Sequence, residues 1–119
     1  MAEEKILIID DDEFVRKTLR SLLIYRDYAV DVAEDGSTGI EKAKSDCYDI
    51  VLLDINLPDK NGLDVLKDIK SAKLKASVII MTGDGSPETE EKARGLGAAN
   101  YLSKPIVPGT LFTAIQKVR

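Results

Sequence analysis

The 119-residue sequence predicts an α/β fold, a doubly wound (βα)5 sandwich on a five-stranded parallel sheet. Five short apolar segments alternate with segments whose apolar residues recur at helical spacing. The first, third and fourth are unbroken apolar runs, the pattern of strands covered by helices on both faces; a half-solvated sheet would alternate apolar with polar. Polar residues follow directly after the runs, where open parallel sheets bind their ligands.

The first strand is Ile6-Leu7-Ile8-Ile9, and Asp12 is placed to cap a helix whose stripe is Val15, Leu19, Leu22 and Leu23. The second runs from Ala29 to Ala33. The segment around Ile40 and Ala43 has a weaker stripe and reads as helix because parallel strands need a crossover of this length. Ile50-Val51-Leu52-Leu53 is the third strand, followed by a helix striped by Leu63, Leu66 and Ile69. Val78-Ile79-Ile80-Met81 is the fourth. Ser86-Pro87-Glu88 then supplies an N-cap, a first-turn proline and an acidic first turn for a helix around Ala93 and Leu96, which Gly95 or Gly97 ends. Ala99 to Leu102 is the fifth strand, and Pro108 and Gly109 open a last helix striped by Leu111, Ile115 and Val118. Residues 1–119 are expected to form one domain.

Composition narrows the chemistry. Seventeen Lys and Arg against 21 Asp and Glu give a formal charge of -4, so no broad basic surface meets nucleic-acid phosphates or an anionic membrane. The apolar runs are far shorter than the ~20 residues that span a bilayer, and the acidic start MAEEKILII is unlike a signal peptide. A cytoplasmic location is expected. Cys47 is the only cysteine, which rules out an internal disulfide, and it reads as a half-buried structural residue. The absence of histidine excludes His-ligated zinc, Ser-His-Asp triads and a phosphohistidine carrier. Carboxylates, lysine and hydroxyls must carry whatever chemistry exists.

They gather at the strand ends. Asp10-Asp11-Asp12-Glu13 follows strand one, Asp54-Ile55-Asn56 strand three, Thr82-Gly83-Asp84-Gly85 strand four and Ser103-Lys104-Pro105 strand five. Helix capping accounts for Asp12 and Glu13. It does not account for Asp10 and Asp11, which repel each other at the strand end unless a cation lies between them. Asp54 adds a third carboxylate, and hard oxygen ligands in a partly open shell suit Mg²⁺. Lys104 adds a mobile positive charge and Thr82 a hydroxyl donor, which together describe a phosphoryl site. An aspartate is ionised at neutral pH and can itself be the nucleophile, which fits the missing histidines.

The stretches ILIIDDDE, DIVLLDINLPDKNGLDVL, VIIMTG and GAANYLSKPI resemble, in order, the motifs of the receiver domain of two-component response regulators, from Lys5 to the end of the last helix. The resemblance implies a CheY-like, flavodoxin-like sheet with strand order 2-1-3-4-5 and Asp54 as the phosphoacceptor. It implies Asp11 and Asp54 as carboxylate ligands of Mg²⁺, the Asn56 backbone carbonyl as a third ligand, and Asp10 as a water-mediated partner of the metal. Lys104 corresponds to the lysine that bridges to the phosphoacceptor, Thr82 to the hydroxyl that follows the phosphoryl oxygen, and Tyr101 to the aromatic switch position. Pro58 and Gly62 match the loop after the phosphorylation site, and Gly83 the demand for a very small residue beside the phosphoryl group. Lys104-Pro105 is expected to be cis, and Asp84 to influence how water reaches an acyl phosphate.

The implied function is a phosphorelay switch. A sensor histidine kinase, a histidine phosphotransfer protein or a small phosphodonor phosphorylates Asp54, slow self-catalysed hydrolysis resets it, and the surface of helix four, strand five and helix five changes its affinity for a downstream protein or attached output domain. No direct nucleic-acid or membrane partner is expected. Phosphorylation-dependent homodimerisation, and membership of a larger regulator or hybrid kinase, stay open. One rival is a haloacid-dehalogenase-like phosphatase, which also uses an aspartyl phosphate, but Asn56 stands where it needs a second carboxylate. Another is a flavodoxin-like flavin carrier, whose phosphate the acidic first loop would repel.

Overall fold

The computed structural model describes residues 4–83 and 85–118; the expectation for Asp84 lies outside them. The elements are β1 (Lys5–Ile9), α1 (Glu13–Tyr25), β2 (Ala29–Ala33), α2 (Gly36–Ser45), β3 (Ile50–Asp54), α3 (Gly62–Ser71), β4 (Ser77–Thr82), α4 (Pro87–Gly95), β5 (Asn100–Ser103) and α5 (Pro108–Val118). The strands form one parallel sheet in the order β2-β1-β3-β4-β5, as expected.

Two apolar layers explain why the central strands read as unbroken runs. Ile6 and Ile8 of β1 pack with Leu19 and Leu23 of α1 and Leu111 and Ile115 of α5. Leu7 and Ile9 face the other way and join Val65, Leu66 and Ile69 of α3 and Ala93 of α4. Each fully buried Leu or Ile contributes about 1.5–3 kcal/mol, so the strands that feed both layers hold the domain together. The edge strand β2 is mostly half-buried, which is why its sequence, AVDVA, admits an aspartate.

The helix boundaries follow the expected caps. Asp12 accepts from the Phe14 and Val15 amides, and Ser86 accepts from Thr89 N. Gly97, with φ +103°, takes the left-handed position just after α4, so of the two candidate glycines Gly97 makes the stop. Strand β5 sits one residue later than expected, Asn100–Ser103. Cys47 corrects the sequence expectation: it is exposed. In the loop before β3 the neighbouring Tyr48 takes the inward position, 7% exposed, and leaves Cys47 outside.

The chain winds outward from β1 to β2 through α1 on one face and returns to β3 through α2 on the other. The carboxyl ends of β1 and β3 therefore lie side by side where the winding reverses, the crevice in which such sheets bind ligands. Among the described residues no helix is long and apolar enough to cross a membrane.

Candidate functional site

Four strand ends meet at this crevice. Asp10 continues β1, its amide donating to the Ala33 carbonyl at 3.1 Å. Asp54 is the last residue of β3, in register with Met81, and Thr82 ends β4 in register with Ser103 of β5. The Lys104 amide donates to the Thr82 carbonyl at 2.7 Å, so the lysine leaves β5 directly over the end of β4. The Lys104-Pro105 peptide bond is cis.

Asp10, Asp54 and Thr82 are 0%, 3% and 1% exposed, the buried polar side chains among the described residues. Lys104 Nζ lies 2.7 Å from Asp10 Oδ2 and 3.4 Å from Asp54 Oδ2. One carboxylate oxygen from each of Asp10, Asp11 and Asp54 lies within 4.8 Å of the others, with Asp11 on the exposed side. Asp10 is held twice more: its Oδ1 accepts from the Asp12 amide at 2.9 Å, and its carbonyl accepts from Arg16 Nη1 at 2.8 Å.

Burial pushes the Asp54 carboxyl above the ordinary carboxylate range, and the Asp10 charge pushes it further. The Lys104 ammonium and the Asn56 amide, 3.4 Å from Asp54 Oδ1, pull back only in part. Burial opposes the charged form of Lys104 too, yet its hydrogen bond to Asp10 and the charges of Asp10 and Asp54 outweigh it and raise the pKa. Three carboxylates and one ammonium leave two negative charges uncompensated, the charge of a divalent cation. An all-oxygen donor set with one open side fits Mg²⁺.

The remaining sequence candidates divide. Asn56 is exposed and opens the loop to α3, where it forms a bridge with Asn61. Gly62 closes that loop so tightly that a Cβ there would collide with the Asp54 carbonyl. A Cβ at Gly83, by contrast, would meet nothing within 4 Å among the described residues. Tyr101 pairs with Ile80, two residues before Thr82, which puts Thr82 and Tyr101 on one face of the sheet. The tyrosine is half-buried against the α2–α4 layer, two residue positions back from the rim. Sequence reasoning missed Arg16. Its only signal was its place one turn after the Asp12 cap, from which a long side chain can reach back to the strand end.

The sequence profile of the response regulator receiver domain matches residues 6–116. The chain belongs to that family. It is similar, at 36% identity over 114 residues, to the transcriptional regulatory protein DltR of Streptococcus agalactiae serotype III (strain NEM316), covering 94% of this chain and 50% of that protein. The chain thus spans about half the length of the curated relatives it matches. Among solved structures it resembles the chemotaxis protein CheY4 of Vibrio cholerae, at TM-score 0.94 and 28% identity over 99% of this chain and 100% of that one. It also resembles a Burkholderia pseudomallei response regulator with a phosphorylated aspartic acid, calcium ion and citrate, at TM-score 0.89 and 29% identity over 96% of this chain and 67% of that one. As a receiver domain of two-component response regulators, the chain is a signalling switch. The family match lends nothing to a haloacid-dehalogenase-like phosphatase.

Proposed function

We propose that this receiver domain takes a phosphoryl group onto Asp54 from a phosphohistidine on a sensor histidine kinase or phosphotransfer protein, or from a small acyl phosphate, with Mg²⁺ as cofactor. The observation that carries the reading is the half-buried Lys104 ammonium placed between Asp10 and Asp54, with Asp11 at the open side. The phosphorylated aspartic acid and calcium ion of the Burkholderia pseudomallei neighbour support it.

Asp11, Asp54 and the Asn56 carbonyl would hold the cation, with Asp10 acting through water. Bound there, Mg²⁺ supplies positive charge to the oxygens of the transferring group. An Asp54 carboxylate oxygen attacks phosphorus, and the donor's bond to phosphorus breaks: the N–P bond of a phosphohistidine, its electron pair leaving on the imidazole, or the O–P bond of an acyl phosphate, its pair leaving on the carboxylate. Lys104, 3.4 Å from Asp54 Oδ2, needs only a small side-chain movement to follow the incoming oxygens. The space around a Cβ at Gly83 among the described residues supports this. Among the described residues the site offers water no strong general base, which favours slow hydrolysis.

Thr82 ends β4 beside the acceptor and is the hydroxyl best placed to turn toward the new dianion. Tyr101, on the same sheet face, transmits that shift to the α4–β5–α5 surface, where a downstream protein, an attached output domain or a second copy of the chain reads it. Moving such an equilibrium from 1:99 to 99:1 takes about 5.5 kcal/mol, within reach of a few charge-assisted hydrogen bonds in a partly desolvated site.

The test is incubation with a small acyl-phosphate donor and Mg²⁺, followed by intact-mass measurement. Wild type should gain one base-labile phosphate and Asp54→Asn none; undiminished labelling of Asp54→Asn would overturn the assignment.

A further inference from the structure

The loop that joins β3 to α3 is pinned at a point the phosphoryl chemistry does not use. Asp59 leaves this loop and lays its carboxylate across the first turn of α2, with Oδ1 accepting from the Gly36 amide at 2.8 Å and Oδ2 from the Ser37 amide at 2.9 Å. These contacts join segments 23 and 22 residues apart. The helix has its own cap: Asp35 accepts from the Thr38 amide at 2.7 Å and, through its carbonyl, from Gly39 N at 3.0 Å. Asp59 takes the two amides that Asp35 leaves, so the two carboxylates divide the donors of one helix end. The Gly36 and Ser37 amides draw the Asp59 pKa down to about 2, as two well-aligned donors should.

Two further contacts make the clamp stiff. The side chain of Lys60 packs over Gly36 so closely that a Cβ there would collide with it. At the far end of the loop Gly62 is jammed against the Asp54 carbonyl, and its amide donates to Ile55 at 2.6 Å. Only Leu57 and Pro58 separate Asn56 from Asp59, and the proline fixes one backbone angle of that short link. A displacement of Asp59 therefore passes to Asn56 with little slack.

We infer that Asp59 is a positioning residue for the cation site, clamping the β3–α3 loop to α2 so that the Asn56 carbonyl stands at a fixed place relative to Asp11 and Asp54. The inference rests on the reading of Asn56 as a cation ligand given above. It predicts that the strength of Mg²⁺ binding depends on a side chain that never touches the ion.

The experiment is isothermal titration of the whole chain with Mg²⁺, with a thermal melt of each variant. Asp59→Ala should weaken Mg²⁺ binding roughly tenfold, the low end for loss of a residue that orients a ligand. Asp59→Asn, which keeps the shape and one acceptor, should fall between, and Asp59→Glu should restore most of the affinity. Asp35→Ala is the control. It removes an equal charge and an equal kind of cap from the same helix end without touching the loop, so it should lower the melting temperature yet leave the Mg²⁺ affinity within about twofold. Unchanged affinity in Asp59→Ala and Asp59→Asn, or an equal loss in Asp35→Ala, would overturn the inference while leaving the cation site intact. A wild-type chain that binds no Mg²⁺, or binding that survives in Asp11→Asn, would overturn both the site and the inference.

Discussion

The two rims of the sheet carry nearly the same groups and use them in opposite ways. At the amino rim, Lys5 pairs with Asp46, lies 3.7 Å from Asp31, and sits over the Tyr48 ring at 5.3 Å from its centroid. At the carboxyl rim, Lys104 pairs with Asp10 and Asp54. Each is one lysine between two aspartates. The Lys5, Asp31 and Asp46 side chains keep 31%, 42% and 46% of their exposure, whereas those of Lys104, Asp10 and Asp54 keep 22%, 0% and 5%.

Burial reverses what the charges do at one carboxylate, Asp54. At the amino rim the hydrogen bond between Asp46 and Lys5 lowers the carboxyl pKa and raises the lysine pKa, so both groups are more comfortable charged. At the carboxyl rim burial raises the Asp54 pKa in spite of Lys104. The first arrangement is a finished ion pair. The second holds a carboxylate whose ionised form burial and the neighbouring Asp10 charge disfavour, a state that an added cation relieves.

Substituting the two lysines in parallel should separate the rims most sharply. Lys104→Met should slow phosphorylation by an acyl phosphate about a hundredfold, as expected when a charged partner of the transferring group is lost, while Lys5→Met should leave the rate within about twofold. Equal losses would mean that Lys104 acts through stability alone.

Ligand-linked stability comes next. Mg²⁺ at a hundred times its dissociation constant should stabilise the wild type by about 2.7 kcal/mol, roughly 10 °C in melting temperature for a domain of this size. Asp11→Asn should lose most of that gain, and Asp46→Asn should keep it all. A uniform rise in all three proteins would point to nonspecific screening.

The smallest effect has a diagnostic sign. A carboxyl whose folded pKa is raised binds its proton more tightly in the folded state. Ionised Asp54 therefore costs stability at neutral pH, and the cost disappears as pH falls through the raised pKa toward 3.8. Asp46, whose pKa is lowered, contributes stability above pH 3.8 that is lost as pH falls below it. In metal-free buffer at pH 7, Asp54→Asn should melt a few degrees higher than wild type and Asp46→Asn slightly lower. Shifts of the same sign would contradict the contrast between the rims.

Much of this was legible in the sequence because it is local or periodic. The unbroken runs at Ile6, Ile50 and Val78 name the central strands, and the residues after them name the rim, since in a parallel sheet every strand ends on the same side. The strand order was supplied by the resemblance; hydropathy alone does not order strands. Cys47 was misjudged because in a loop no period says which of two neighbours turns inward, and Tyr48 has the larger apolar surface to bury. The reach of Arg16 to the Asp10 carbonyl left only its place one turn after the Asp12 cap as a signal and the grip of Asp59 on α2 left none, because each depends on where a long or distant side chain arrives once the chain has folded.

The most direct test of the central claim is to locate the phosphate. The chain is treated with an acyl phosphate in Mg²⁺ or in chelator, the acyl phosphate is trapped by borohydride reduction, and the digest is sequenced by mass spectrometry. The arrangement of Asp10, Asp11, Asp54 and Lys104 predicts a single reduced residue, Asp54, formed with Mg²⁺ and nearly absent with chelator. Modification at another aspartate, or at Asp54 to the same extent without the cation, would contradict it.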